Sequence, residues 1–175
     1  MTWQDYVASV DCSHPMTTDP RHLAALCEIV EGKEYRILEF GSHAGISASA
    51  MALASPESTI FAVDLCDTVP EASRVAYWQS LGITNVIPVA EATGLYFAEC
   101  PPGKFDVVFH DATHGIAAFP EYVRCAEIAA VVAIHDFEQL PDDMQAALAA
   151  KFRRSTKDAD VKGRVLFVGY RWDGV

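Results

Sequence analysis

The chain is organised around one stretch, Arg36-Ile37-Leu38-Glu39-Phe40-Gly41-Ser42-His43-Ala44-Gly45-Ile46-Ser47. It holds a short apolar run with an acidic residue, then two glycines four positions apart, then a segment of small residues with helical character. This order predicts a strand, a tight turn and a helix. Gly41 permits a backbone with φ > 0, and Gly45 lets the helix begin close to a ligand, whose polar groups can meet free helical N–H donors. The turn is therefore predicted to hold something small.

The spacing of the glycines separates two kinds of nucleotide ligand. A dinucleotide fingerprint reads G-x-G-x-x-G, but here His43 stands at its second glycine and Ile46 at its third. NAD and FAD are therefore disfavoured. A plain βα turn that binds no ligand remains open, because glycines are common at such turns.

The second predicted strand, Thr59 to Asp64, ends in an acid. Asp64 lies 19 positions beyond Gly45, where a nucleotide-binding α/β unit places a carboxylate that accepts hydrogen bonds from ribose hydroxyls. An acid at this spacing after a glycine turn favours a bound nucleoside over a plain turn.

The motif Glu39-x-Gly41-x-x-x-Gly45 resembles the first motif of the class I S-adenosylmethionine-dependent methyltransferases, in which an acidic residue precedes three alternating glycines. His43 replaces the middle glycine. The resemblance implies that S-adenosylmethionine is the cofactor. The binding residues that it implies are Glu39, Gly41, Ser42, His43 and Gly45 in the turn, Asp64 and Leu65 after the second strand, and Glu91, Ala92 and Asp111 after later strands.

A third strand is predicted over Asn85 to Val89. The resembling family contacts the adenine ring just beyond this strand, so Glu91 and Ala92 are expected there. A surface turn without contact to a ligand is the alternative.

Two further predicted strands are each associated with the dipeptide His-Asp. The fourth strand is Phe105 to Asp111, and the fifth is Ala130 to Ile134, followed by His135-Asp136-Phe137. Ligands bind beyond the carboxyl ends of the strands in a doubly wound sheet. Both dipeptides are therefore expected to face the ligand of the glycine turn.

These strand ends extend the resemblance over Arg36 to Phe137. The run from Phe105 to His114 is similar to the F-D-x-x-x-x-D-x-x-H segment of small O-methyltransferase-like proteins, and the fifth strand is similar to their strand ending in H-D-[YF]. Metal-dependent members hold a divalent cation between the two strand-end aspartates and an adjacent Asn or Asp. Asp111 and Asp136 match two of these ligands, whereas the third position falls on Phe137, which cannot coordinate a metal.

Methyl transfer to a hydroxyl requires the removal of a proton, and two routes remain open. In one, Asp111 and Asp136 hold Mg²⁺, which lowers the pKa of the acceptor. In the other, which we favour, His114 or His135 beside Asp111 is the general base, since histidine titrates near neutrality. His114 is preferred because it lies in a predicted loop. A structural histidine paired with an aspartate is the alternative for each.

The remaining elements predict an α/β fold, a doubly wound and mostly parallel sheet of six or seven strands of the Rossmann-like methyltransferase type. Residues 1–32 form an N-terminal helical segment, and one domain spans 1–175. Helices are predicted over Phe119 to Ile128 and Pro141 to Phe152. A C-terminal antiparallel hairpin joins a weak strand near Ala159 to Val161 with a strong one from Val165 to Trp172.

Composition and charge narrow the classes of partner. With 175 residues, of which 51% are hydrophobic, the chain can bury one sizeable core. Its formal net charge of −11 argues against nucleic acid and anionic membranes as partners. No apolar stretch is long enough to cross a bilayer, and the first residues lack the basic region and apolar run that are typical of a signal peptide. The five scattered cysteines form no C-x-x-C pair. We expect a cytoplasmic protein with a small-molecule substrate, and a homodimer is left open.

The function predicted from the sequence is S-adenosylmethionine-dependent methyl transfer to a small molecule, at a hydroxyl group. One alternative is a catalytically silent domain that binds S-adenosylmethionine or S-adenosylhomocysteine. Another is a metal-assisted hydrolase that uses His110, Asp111, His135 and Asp136.

Overall fold

The computed structural model describes residues 1–11, 17–65 and 68–171. Its strands are β1 (Arg36–Phe40), β2 (Thr59–Asp64), β3 (Val86–Ala90), β4 (Phe105–His110), β5 (Ala129–Ile134), β6 (Arg154–Ala159) and β7 (Val165–Tyr170). They form one sheet in the order β3-β2-β1-β4-β5-β7-β6. The first five strands pair in parallel, whereas β7 runs antiparallel to both β5 and β6. The predicted doubly wound sheet with a C-terminal antiparallel hairpin is confirmed.

Helices cover both faces of this sheet. They are α1 (Trp3–Ser9), α2 (Pro20–Val30), α3 (Ile46–Ala54), α4 (Glu71–Ser80), α5 (Thr93–Glu99), α6 (Phe119–Ile128) and α7 (Asp142–Ala149). Successive residues of a strand point to opposite faces, so Ile37 packs with the core under α1 to α3, whereas Leu38 packs with the core under α6 and α7. The edge where the parallel strands end stays open for a ligand.

Several elements agree closely with the sequence predictions. The bounds of β2 and α6 are the predicted ones. Helix α2 begins at Pro20, and the side chain of its N-cap Asp19 accepts a hydrogen bond of 2.9 Å from the Arg21 N–H. Helices α1 and α2 lie within the predicted N-terminal helical segment.

Helix α7 and strand β6 differ from the predictions. The helix ends at Ala149 rather than at Phe152, because Phe152 turns into the core and lies 5.6 Å from the ring of Phe167. The strand expected near Ala159 to Val161 runs instead over Arg154–Ala159. All six of its residues are exposed, so it has no alternation of apolar and polar residues to reveal it.

Two further points concern the ends of elements. Helix α5 is not predicted from the sequence, which indicates only a turn after β3. The final strand ends at Tyr170, and Trp172 of the predicted strand lies outside the described residues. In the part of the chain that is described, no helix has both the length and the apolar character needed to cross a membrane.

Candidate active site

Three adjoining cavities lie where β1, β2, β4 and β5 end, and all three are lined by Gly41, His43 and Asp111. The first, the turn cavity, is also lined by Thr17, Thr18, Ser42, Ala44, Ile46 and Ser47. The second, the Asp64 cavity, is also lined by Asp64, Leu65, Thr68, Glu91, Thr93, Ala112 and Thr113. The third, the histidine cavity, is also lined by Thr18, Ala112, His114, His135, Asp136 and Arg164. The Asp64 cavity measures about 520 Å³, a size typical of small-molecule sites. The three cavities share wall residues. A ligand that fills the turn cavity and the Asp64 cavity would therefore contact a second ligand bound in the histidine cavity.

Gly41 brings the glycine turn against the end of β4. Its φ is 81°, and a Cβ at this position would lie 2.3 Å from the carbonyl oxygen of Asp111 and 2.8 Å from the Cα of Ala112. Only glycine fits between these backbone atoms. The predicted need for a positive φ at this turn is met here.

A hydrogen bond ties the turn to the end of β2. His43 stands where the family motif has its middle glycine, and its φ of 40° lies in the left-handed region. The backbone N–H of His43 donates to Oδ2 of Asp64 at 2.7 Å. This bond holds the Asp64 carboxylate in the cavity wall, beside Leu65 and Glu91. Ala92 does not line the cavity but precedes α5 as its N-cap.

Gly45 packs closely against Trp78 on α4. It lines none of the three cavities, and a Cβ there would lie 2.7 Å from Nε1 of Trp78. The indole N–H of Trp78 donates to the Gly45 carbonyl oxygen at 3.2 Å. The close approach of Trp78 on α4 is therefore sufficient to require a glycine at this position.

Glu39 is also withdrawn from the cavities. Its side chain is fully buried, and Oε1 accepts a hydrogen bond from the Ser47 hydroxyl. Burial raises the pKa of Glu39 to about 7, although the bond from Ser47 lowers it. Glu39 therefore supports the first turn of α3, and Ser47 rather than Glu39 reaches the turn cavity.

Four predicted residues meet in the histidine cavity. Nδ1 of His135 lies 3.2 Å from Oδ1 of Asp111 and 3.0 Å from Oδ1 of Asp136. Nε2 of His114 lies 3.8 Å from Oδ1 of Asp111, and its Nδ1 lies 3.9 Å from Oδ2 of Asp136. The two histidines thus approach the same two carboxylates from different sides.

The two histidines differ in burial and in charge. The side chain of His135 is 3% exposed, whereas that of His114 is 29% exposed. Burial by itself lowers the pKa of His135. The carboxylates of Asp111 and Asp136 have the larger combined effect, so the pKa is raised from its ordinary 6.5 to about 10. A histidine that is protonated at neutral pH cannot accept a proton, which favours His114 over His135 as the candidate base. His114 remains the candidate.

His110 points away from the cavities, so the expectation that both His-Asp dipeptides face one ligand is wrong. It is the last residue of β4, and its buried ring packs 4.9 Å from Tyr122 on the opposite face of the sheet. Its Nε2 lies 2.9 Å from Oε2 of Glu121. A hydrolase that uses His110 together with His135 therefore lacks the geometry.

The residues present do not fit the metal site of the resembling enzymes. Phe137, at the third ligand position, is buried and stacks 4.4 Å from Phe167 in the core. The space between the carboxylates of Asp111 and Asp136 is taken by Nδ1 of His135. Across residues 1–11, 17–65 and 68–171, the structure has no group of three His, Cys, Asp or Glu side chains arranged to hold a metal ion.

Two residues of the site are missed by sequence reasoning. The Thr18 hydroxyl, just before α2, donates to Oδ2 of Asp111 at 3.4 Å. Arg164 reaches the histidine cavity from the turn between β6 and β7. Neither residue lies at a strand end or in a motif, so no local signal could have revealed them.

Comparisons with solved structures support the methyltransferase fold. The chain is similar to an S-adenosylmethionine-dependent O-methyltransferase from Thermotoga maritima, with a TM-score of 0.69 and 11% identity over 100% of this chain and 73% of that one. It is also similar to precorrin-6y C5,15-methyltransferase from Geobacter metallireducens, with a TM-score of 0.67 and 11% identity over 94% of this chain and 95% of that one. A third similar structure is WbdD, with a TM-score of 0.68 and 15% identity over 97% of this chain. The chain spans 47% of WbdD, about half the length of that protein.

Sequence comparison is more decisive than these structural likenesses. Among curated proteins, none matches the chain significantly. The sequence profile of the O-methyltransferase family, however, matches residues 2–132, which include the glycine turn, Asp64 and Asp111. Because the match covers most of its length, this chain belongs to the O-methyltransferase family.

Proposed function

We propose that this protein transfers a methyl group from S-adenosylmethionine to a hydroxyl group of a small molecule. The main support for this proposal is the hydrogen bond of 2.7 Å that the His43 N–H donates to Asp64, which holds a carboxylate in the wall of the Asp64 cavity. A carboxylate at the end of the second strand can accept hydrogen bonds from ribose hydroxyls. Membership of the O-methyltransferase family supports the same activity.

The cavities fit the two ends of such a cofactor. Asp64, Leu65 and Glu91 would hold the nucleoside, and Gly41 and Ser42 would hold the amino-acid part in the turn cavity. When bound there, S-adenosylmethionine would supply a methyl group on a positively charged sulfur, which an acceptor oxygen can displace in line.

The histidine cavity is the proposed acceptor site. We assign the removal of the hydroxyl proton to His114, because it is the more exposed of the two histidines and faces the carboxylates of Asp111 and Asp136. Those carboxylates stabilise the imidazolium that forms when His114 takes up the proton. No step uses Mg²⁺, since the position between the carboxylates is filled by His135.

The acceptor is proposed to be a small molecule rather than a nucleic acid, because the net charge of −11 opposes binding to phosphate backbones. The cytoplasmic location and the homodimer stay predictions.

Calorimetry with S-adenosylmethionine tests the proposal. The wild-type protein should bind the cofactor, and Asp64→Asn should bind it about ten- to a hundredfold more weakly, since a hydrogen bond to a charged group contributes about 1.5–3 kcal/mol. Glu57→Gln, an exposed acid in the turn before β2, is the matched control and should bind like the wild type. Equal affinity of Asp64→Asn and wild type would contradict the site.

A second assay separates an enzyme from a silent binding domain. Formation of S-adenosylhomocysteine is followed with a panel of small hydroxyl compounds. Turnover with at least one of them is expected. Tight cofactor binding without turnover on any of them would indicate a domain that only binds the cofactor.

A further inference from the structure

One positive charge in the histidine cavity has no part in the proposed proton transfer. Arg164 follows the turn between β6 and β7, and its side chain is 18% exposed. It lines the histidine cavity together with Thr18, His114 and Asp136. The guanidinium therefore lies where the acceptor is proposed to bind.

The hairpin turn holds this guanidinium in a fixed orientation. The side chain of Asp160 is fully buried, and its Oδ1 accepts hydrogen bonds from the backbone N–H groups of Lys162 at 2.8 Å and Arg164 at 2.9 Å. Its Oδ2 accepts the Nε–H of Arg164 at 2.7 Å. On the other side, Nη2 of Arg164 donates to the carbonyl oxygen of Thr17 at 3.3 Å. Two contacts thus fix the plane of the guanidinium before any ligand arrives.

Donors of Arg164 remain available after these contacts. A guanidinium has five N–H donors, and within residues 1–11, 17–65 and 68–171 its Nη1 has no hydrogen-bond partner. The nearby carboxylates of Asp111 and Asp136 are already approached by His135 at 3.2 and 3.0 Å. A planar, fixed guanidinium with open donors matches the geometry of a carboxylate or a phosphate.

Two ligand groups could supply such an anion: the carboxylate of the cofactor or a group on the acceptor. The turn cavity, where the amino-acid part of the cofactor is proposed to lie, is not lined by Arg164. Of the three cavities, it is the histidine cavity that Arg164 lines, together with Asp136. The acceptor is therefore the better match.

We propose that Arg164 binds an anionic group, a carboxylate or a phosphate, on the methyl acceptor, so that the protein selects acidic small molecules. The assignment of this anion to the methyl acceptor rests on the proposed function, whereas anion binding by Arg164 does not. Asp160 is the positioning residue that aims the guanidinium.

Anion binding is measured by calorimetry on the full chain, with and without saturating S-adenosylhomocysteine. The probes are benzoate, acetate and inorganic phosphate, and benzamide is the neutral counterpart of benzoate. We expect at least one anion to bind the loaded wild-type protein, and benzoate to bind more tightly than benzamide. Arg164→Gln should weaken anion binding by roughly tenfold or more, because charge-assisted hydrogen bonds are lost.

Arg154→Gln is the matched control. Arg154 lies on β6 of the same hairpin, is exposed, and stacks 4.3 Å from the ring of Tyr170 rather than in a cavity. This variant should bind anions like the wild type. In case Arg164→Gln does not fold, the Nε–Hε resonance of Arg164 in ¹⁵N-labelled wild-type protein gives a readout without substitution, and it should shift on addition of the anion.

Three results would overturn the proposal: no binding of any of the three anions, equal binding by wild type and Arg164→Gln, or loss of anion binding when S-adenosylhomocysteine is added. The last would assign Arg164 to the cofactor carboxylate. Failure of the proposed function would be seen in a different measurement, as an absence of cofactor binding by calorimetry. The anion titration of the protein without cofactor would still test anion binding by Arg164.

Discussion

Replacing Gly41 by alanine tests the contact on which all three cavities depend. The new Cβ would lie 2.3 Å from the carbonyl oxygen of Asp111, 2.6 Å from its carbonyl carbon and 2.8 Å from the Cα of Ala112. These are backbone atoms at the end of β4, so no side-chain rotation can relieve the overlap. The turn and the strand end must move apart.

The expected loss of stability has two parts. A φ of 81° costs an alanine about 1–2 kcal/mol relative to glycine, and forced overpacking against backbone costs about 1–3 kcal/mol more. Gly32→Ala is the matched control, because Gly32 has a similar φ of 66° but nothing within 4 Å of the position of a Cβ. Gly41→Ala should therefore lose about 1–3 kcal/mol more than Gly32→Ala in free energy of unfolding.

Urea denaturation of the two variants and the wild type measures this difference, and calorimetry of the folded proteins measures cofactor affinity. Gly41→Ala should also lose affinity for S-adenosylmethionine, since Gly41 lines all three cavities, whereas Gly32→Ala should keep it. Equal destabilisation of both variants, or full cofactor affinity in Gly41→Ala, would refute the close contact between the turn and β4.

Three further predictions concern single groups of the site. Burial raises the pKa of Glu39 from its ordinary 4.5 to about 7. Between these two pH values the folded state binds more protons than the unfolded state, so the free energy of unfolding falls as pH rises from 4.5 to 7. Glu39→Gln should therefore gain melting temperature relative to the wild type at pH 8 but not at pH 4, and parallel pH profiles would contradict the buried carboxylate. His114→Asn should lower turnover by about a hundredfold or more with cofactor affinity unchanged, and retained turnover would assign the proton to another group. Adding EDTA to the wild type should leave turnover unchanged, and a loss that Mg²⁺ restores would show that a cation is required.

The elements with strong local patterns could be predicted from the sequence. Strand β2 is a β-branched, apolar run closed by Pro56 on one side and by Asp64 on the other, and its bounds are the predicted ones. Strand β6 has no such pattern, because its six residues are all exposed and pairing with β7 holds them in place. Helix α5 begins at Thr93 without a side-chain cap. Both depend on tertiary contacts that no short window of sequence contains.

The site follows the same division. Gly41, Asp64 and Asp111 could be placed from the sequence because strand ends in a parallel sheet meet at one edge. Arg164 could not, since it reaches the cavity only through the register of the hairpin and the aim provided by Asp160.

The two His-Asp dipeptides show why identical residues can differ in role. His110 pairs with Ile134 in the ladder between β4 and β5, so His135 is one residue further along its strand than His110. Because the side-chain period of a strand is two, this offset sends His110 towards α6 and His135 towards α2, where its ring meets that of His22 at 5.2 Å.

That offset also explains how the site tolerates two neighbouring carboxylates. Two carboxylates at close range repel each other unless a cation lies between them. In the metal-dependent enzymes that the chain resembles, this cation is a divalent metal ion. Here Nδ1 of His135 lies 3.2 Å from Oδ1 of Asp111 and 3.0 Å from Oδ1 of Asp136, and Phe137, which cannot coordinate a metal, is buried against Phe167. The histidine that lies close to both carboxylates and the phenylalanine that cannot coordinate a metal thus occur within three consecutive residues, 135–137, so the residues just after β5 supply both features.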